Sequence, residues 1–169
     1  MSDRLHFDPI PAITVLNRHN VEYIIIGGIA AISHGSPLLT SDFDICYLRT
    51  RGNTERLAAA LIELKARPRS FDPALPFVLD ARTLRNGDTF TFETVAGDLD
   101  CLGSPSGTDG YADLLRSATR VEIDGGEHAL VCSIDDLIRM KRAAGRPKDL
   151  YAVEHLLALK EILDENRRN

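Results

Sequence analysis

Apolar positions along the chain follow two rhythms, a helical stride of three to four residues and a strand-like run or alternation. Proline, glycine and asparagine mark the breaks between them. Asp8-Pro9 reads as an N-cap followed by proline at the first helical position, which predicts a helix to about His19 with Ile13 and Leu16 facing inward and Asn20 as its stop. Val21 to Ile26 is short, β-branched and bounded by turn signals, so it predicts a buried strand. Gly27-Gly28 then turns the chain into a short helix, Ile29 to about His34, that Gly35-Ser36-Pro37 ends. Asp42 to Leu48 alternates: Asp42, Asp44 and Cys46 share one strand face, and Phe43, Ile45 and Tyr47 share the other. Asn53 is a suitable cap for a helix to about Lys65 with Leu57, Leu61 and Leu64 as its buried stripe. Residues 66–76, with Pro68, Pro73 and Pro76, read as a loop.

The second half begins as a succession of strands. Phe77–Leu79 is a short one, Asp88–Val95 alternates, and Asp98–Leu102 follows across a turn at Ala96-Gly97. Residues 103–110 are a glycine- and serine-rich loop, after which Arg120–Ile123, a turn at Asp124-Gly125-Gly126, and Ala129–Cys132 predict a hairpin. Ser133, with Asp136 three positions on, opens a helix to about Ala144, and Gly145-Arg146-Pro147 breaks it. A terminal helix carries Ala152, Leu156, Leu159 and Leu163 as one stripe, and its last residues are expected to fray. Helices mixed with a hairpin-connected sheet predict an α+β domain.

Length and composition narrow the picture little further. At 169 residues and 44% hydrophobic, the chain is expected to be one domain, with a core over about 8–132 and C-terminal helices over about 133–165. Neither a membrane span nor a signal peptide is supported, so a cytoplasmic location is expected. Cys46, Cys101 and Cys132 are odd in number and set in apolar runs, which predicts reduced core thiols rather than a disulfide framework. A net charge of −5 argues against a broad nucleic-acid surface and leaves room for a local basic patch.

The candidate chemistry sits between residues 23 and 48 and again near residue 100. Two metal ions that stabilise the attacking and leaving oxygens of a phosphoryl substitution need several carboxylates on one rigid face, and Asp42 and Asp44 supply such a pair. Glycines at 27 and 28 let backbone amides approach a phosphate, and Thr40 and Ser41 add hydroxyl donors just before the acids. A third carboxylate is expected on a neighbouring strand. Asp98 and Asp100 share a face there, so periodicity does not choose; Asp100 is preferred because it lies deeper in the strand. The glycine pair matches neither a Walker loop nor a dinucleotide fingerprint.

Taken together, Gly27-Gly28, His34-Gly35, Thr40-Ser41-Asp42-Phe43-Asp44-Ile45 and Asp98-Leu99-Asp100 resemble the signature of the DNA polymerase β-type nucleotidyltransferase superfamily. Within it, the chain is most similar to the small prokaryotic minimal nucleotidyltransferases and the AbiEii-like toxin group, and the segment from Asp136 to Leu150 resembles a recurrent stretch of those proteins. The resemblance implies a nucleotidyltransferase fold, a short mixed sheet flanked by helices. It implies two Mg2+ ions, a nucleoside triphosphate donor, and transfer of a nucleoside monophosphate to an acceptor hydroxyl with release of pyrophosphate. Asp42, Asp44 and Asp100 would be the metal ligands and catalytic acids, with Asp100 as general base. Gly27, Gly28, Thr40 and Ser41 would hold the donor.

In the basic segment Arg139, Lys141, Arg142, Arg146 and Lys148, the resemblance favours Lys141 and Arg146 as further donor contacts; the alternative is a solvated helix face with Lys148-Asp149 pairing locally. Related proteins often carry arginine two positions before the threonine, where this chain has Leu38. The acceptor could be a tRNA end, a protein hydroxyl or a small molecule such as an antibiotic, and a partner protein or a neighbour in a homo-oligomer could complete the site. The rival expectation is a catalytically weak protein of the same fold that acts by binding, as one half of a toxin-antitoxin pair.

Overall fold

A computed structural model describes residues 7–72 and 74–168. In chain order its elements are α1 (Ile10–Arg18), β1 (Tyr23–Ile26), α2 (Gly27–Ser33), β2 (Asp42–Tyr47), α3 (Arg51–Glu63), β3 (Arg67–Pro68) and α4 (Ala81–Asn86). There follow β4 (Thr89–Thr94), β5 (Gly97–Leu102), α5 (Tyr111–Leu115), β6 (Thr119–Ile123), β7 (Glu127–Val131), α6 (Ile134–Ala144) and α7 (Pro147–Arg168). The fold class is α+β, as the sequence predicts. The strands make one seven-stranded mixed sheet in the order β3-β4-β5-β2-β1-β7-β6. Only the β2–β5 and β1–β7 adjacencies are parallel, because each joins strands far apart in sequence; the other pairs are antiparallel.

The alternation in β2 sets which layer each side chain joins. Phe43, Ile45 and Tyr47 are fully buried, and the Tyr47 hydroxyl donates to the Leu84 carbonyl of α4, so this face lies under α3 and α4. Asp44 points the other way, toward α6 and Lys141. All three cysteines are free and buried, and burial pushes the Cys46 thiol up to about 12, which keeps it protonated and inert. No described helix is long and apolar enough to cross a membrane.

Several boundaries differ from the sequence expectation, each for a local reason. Thr50, not Asn53, caps α3: its side chain accepts from the Asn53 amide. Asn53 is wholly buried and fastens β1 to β2's exit instead. Its Oδ1 accepts from Glu22 N at 2.7 Å, and its Nδ2 donates to the carbonyls of Glu22 and Leu48 at 2.9 and 2.8 Å. The glycine pair is not a turn preceding α2 but forms its first two residues.

Phe77–Leu79 is not a strand, because the edge beside β4 is already taken by Arg67 and Pro68, within the segment expected to be all loop. Proline is tolerated there because an edge strand leaves one side unpaired. Phe77 is held by ring packing instead, edge-on to Phe71 and Phe92 at centroid distances of 5.8 and 6.3 Å. Pro73, expected in that loop, lies outside the described residues. The short α4 and α5 have too few residues to show a helical period and went unpredicted. α7 remains helical to Arg168, where fraying was expected, and its Val153 joins Leu156 among the buried positions. Gly145 ends α6 in the left-handed conformation, and α7 starts at Pro147.

Candidate active site

The parallel register of β2 and β5 pairs Asp42 with Asp98 and Asp44 with Asp100. The strands thus set four carboxylates side by side on one face, and three of them converge: one oxygen from each of Asp42, Asp44 and Asp100 lies within 4.8 Å of the others. Asp100 is the deeper of the two candidates on β5, its side chain 16% exposed against 39% for Asp98. Such crowding is electrostatically costly. Burial first, then the charges of Asp42 and Asp100, push the Asp44 carboxyl up to about 7, although Lys141 and Arg69 pull the other way. Burial also raises Asp100, against the opposing pull of Arg69.

The glycines are explained by what they touch. β1 runs antiparallel to β2 with Ile26 opposite Asp44, so the chain leaving β1 passes directly over the triad. At Gly27, with φ +66°, a side chain would strike the Asp44 carboxylate; at Gly28 a Cβ would fall 2.6 Å from the Thr40 Cβ. Thr40 in turn donates from Oγ1 to Asp42 Oδ1 at 2.8 Å, holding that carboxylate in place, while Ser41 is exposed beside it. Gly28→Ala is therefore expected to displace Thr40 and with it Asp42. The variant should lose about 1–3 kcal/mol of stability in thermal melts, as overpacking does.

Three cations surround the acids, and one of them was missed in the sequence. Arg69, just after β3, pairs through Nη1 with Asp98 at 2.9 Å and through Nη2 with Asp100. Its only sequence signal was an arginine in a proline-bounded loop, and the pairing depends on the unforeseen β3. Lys141 and Arg146 both bind Asp149, which is completely buried: Lys141 Nζ lies 3.0 Å from Oδ1, and Arg146 Nε lies 2.5 Å from Oδ2. The expected local pairing of Lys148 with Asp149 is not what forms, because neighbours in sequence do not face each other on a helix. Arg139 is directed elsewhere, to Asp113 and Asp136. Across the site the Lys141 charge pulls the Asp44 carboxyl down, and the charge of Asp44 raises Arg146. His34 is a packing residue whose Nε2 lies 2.8 Å from the Cys132 carbonyl.

Burial would raise Asp149, but hydrogen bonds from Arg146 and Lys141 hold it down at about 2. A depressed carboxyl stabilises the fold above its unfolded value of 3.8, and that contribution is lost as pH falls toward 2. Asp149→Asn should lower stability by about 3 kcal/mol at neutral pH, near the low end for breaking a buried pair because both cations reach solvent. It should also flatten the acid limb of a stability-versus-pH curve measured by urea unfolding.

An open cleft of about 2270 Å3 reaches the triad at Asp42 and is lined also by the neighbouring Asp98. Thr40, Ser41 and Arg69 line its site end, and Leu38 and Phe71 lie further along it.

No family model matches the sequence, and no curated protein matches it. Among solved structures, the antibiotic-resistance factor ANT(2'')-Ia is similar with a TM-score of 0.55 at 16% identity, over 94% of this chain and 91% of that one. A Thermotoga maritima protein proposed to be a nucleotidyltransferase aligns over 92% of this chain and 90% of its own, with 15% identity and a TM-score of 0.49. The seven-stranded mixed sheet with its flanking helices is thus the nucleotidyltransferase fold.

Proposed function

We propose that the protein is a magnesium-dependent nucleotidyltransferase, which moves a nucleoside monophosphate from a nucleoside triphosphate to an acceptor hydroxyl and releases pyrophosphate. The observation that carries this reading is the convergence of Asp42, Asp44 and Asp100 within 4.8 Å on two adjacent strands. The donor set fits the metal: three carboxylates are hard, anionic oxygen ligands, and the buried negative charge that, by burial first and by repulsion from Asp42 and Asp100 second, lifts Asp44 to about 7 is what a divalent cation offsets. Asp42 and Asp44 would hold both ions, and Asp100 would join them at one. When bound, the metal supplies charge stabilisation to the attacking and leaving oxygens.

The chain's own groups do the rest. Asp100 accepts the proton of the acceptor hydroxyl, a role for which its raised basicity is suited. Lys141 and Arg146, held by Asp149 on the Asp44 side, oppose the negative charge of the triphosphate. Gly27 and Gly28 keep the approach to the acids open, Thr40 orients Asp42, and Ser41 offers a hydroxyl to the donor. The open cleft gives the acceptor its approach. A small molecule, a protein hydroxyl and a tRNA end remain the acceptor classes; ANT(2'')-Ia, which shares the fold, is an antibiotic-resistance factor. A cytoplasmic location and a place in the minimal or AbiEii-like group belong to the same proposal and rest on sequence resemblance.

A second reading, a binding protein of a toxin-antitoxin pair with little catalytic power, is favoured by Leu38 and by the ion pairs that already engage Arg69, Lys141 and Arg146. One assay separates the two. The protein is incubated with each α-labelled ribonucleoside triphosphate, magnesium and host lysate, and label is sought in RNA, protein and small molecules. Magnesium-dependent labelling of one class supports the enzyme and names its acceptor. Nucleotide binding by calorimetry without labelling favours the second reading, and absence of both removes the enzyme.

A further inference from the structure

The two edges of the sheet are unlike. β3 is two residues long and ends in proline, which is how proteins ordinarily blunt an exposed edge. β6 has neither protection: it is five residues, Thr119-Arg-Val-Glu-Ile123, without proline or lysine, and its register with β7 runs unbroken from Thr119 to Ile123. Among the described residues no other segment pairs with its outer edge. Thr119, Val121 and Ile123 lie on one face, and Val121 and Ile123 pack onto the core; Arg120 and Glu122 lie on the other, both exposed. No ion pair or side-chain hydrogen bond within the chain takes up Arg120 or Glu122 among the described residues.

We propose that β6 is a homodimerisation edge, on which a second copy of this chain adds its own β6 antiparallel so that the two sheets become one. The charges choose the register. A two-fold axis perpendicular to a sheet keeps each face on its own side, so residues directly opposite must share a face and the axis must pass through a residue. Centred on Arg120 or Glu122, it sets like charges against each other. Centred on Val121, it sets Arg120 against the partner's Glu122 twice, sets Val121 against its own copy and continues the apolar face through Ile123 and Thr119. Opposite charges directly across strands attract and like charges repel, so of the three registers the one centred on Val121 alone sets no like charges against each other.

Sedimentation velocity over a concentration series up to about 1 mM tests the proposal with four proteins: wild type, Arg120→Glu, Glu122→Arg and the double exchange. Wild type should dimerise with rising concentration. Each single reversal places two like pairs across the axis and should weaken association by about tenfold or more, and the double exchange should restore it. Far-ultraviolet circular dichroism and thermal melts check folding, which substitutions at two exposed positions should leave intact. A wild type that stays monomeric throughout overturns the proposal, as does a dimer indifferent to both single reversals. A double exchange that fails to recover, with its fold intact, overturns the register centred on Val121. None of these outcomes depends on nucleotide or metal.

Discussion

Asp44→Asn is expected to abolish nucleotidyl transfer and, at the same time, to raise the melting temperature of the metal-free protein at about pH 8. Both effects come from one carboxylate. Its pKa is raised from 3.8 to about 7, so the folded state holds that proton more tightly than the unfolded state does. The corresponding stability is fully present below about pH 4 and is lost as pH climbs through 7, where the carboxylate must carry its charge beside Asp42 and Asp100. Asparagine carries none. After allowance for solvent screening, removal of this buried and repelled charge is on the order of 2 kcal/mol, several degrees in melting temperature for a chain of this size. Transfer should fall by about 10³-fold under the proposed function, in which Asp44 would hold metal and its loss would remove several kcal/mol of transition-state stabilisation. Magnesium should stabilise wild type and leave the variant unmoved in the same melts. A variant that melts lower without metal, or that transfers normally, would remove Asp44 from the centre of the site.

Asp100→Asn should lose turnover by about 10²–10⁴-fold while keeping much of the affinity for nucleotide, because its assigned task is proton transfer and Asp42 and Asp44 remain for the donor complex. Asp98→Asn should be mild by comparison. Its side chain is the more exposed of the two, and Arg69 would keep its second partner, Asp100. Single-turnover rates alongside calorimetric nucleotide affinities distinguish these cases. If Asp98→Asn eliminates transfer and Asp100→Asn leaves it near wild type, the third carboxylate is the outer one.

Much of this arrangement is visible in the sequence because it is local. The alternation of Asp42 to Tyr47 places two acids on one face without any knowledge of the sheet, and a Gly-Gly step beside a β-branched strand signals a close backbone approach. What the sequence could not supply was contact between distant segments. Arg69 reaches Asp98 and Asp100 only because β3, two residues and too short to have a period, pairs with β4. Asn53 looks like a cap because asparagine favours caps; its burial follows from the meeting of β1's entry with β2's exit, a tertiary fact. Lys141 and Arg146 were recognisable as candidates through family likeness, yet their shared anchor, Asp149, reads in sequence as one more acid on a polar helix face. Phe77 belongs to an apolar run that is equally compatible with a strand and with a packed loop, and the occupied sheet edge decided between them.

The Asp149 joint between α6 and α7 also ties the electrical field of the site to the docking of the C-terminal helix. Lys141 and Arg146 belong to different sides of the Gly145 break, and a single buried carboxylate gathers them near Asp44. Terminal helices open locally at lower free energy than a central sheet does, so the positive potential offered to a nucleotide is present only in the fraction of molecules with α7 seated. Ligand affinity and local opening are then two readings of one equilibrium. Occupancy of the site should accordingly slow amide hydrogen exchange along the first turns of α7, well away from any acid that touches the ligand.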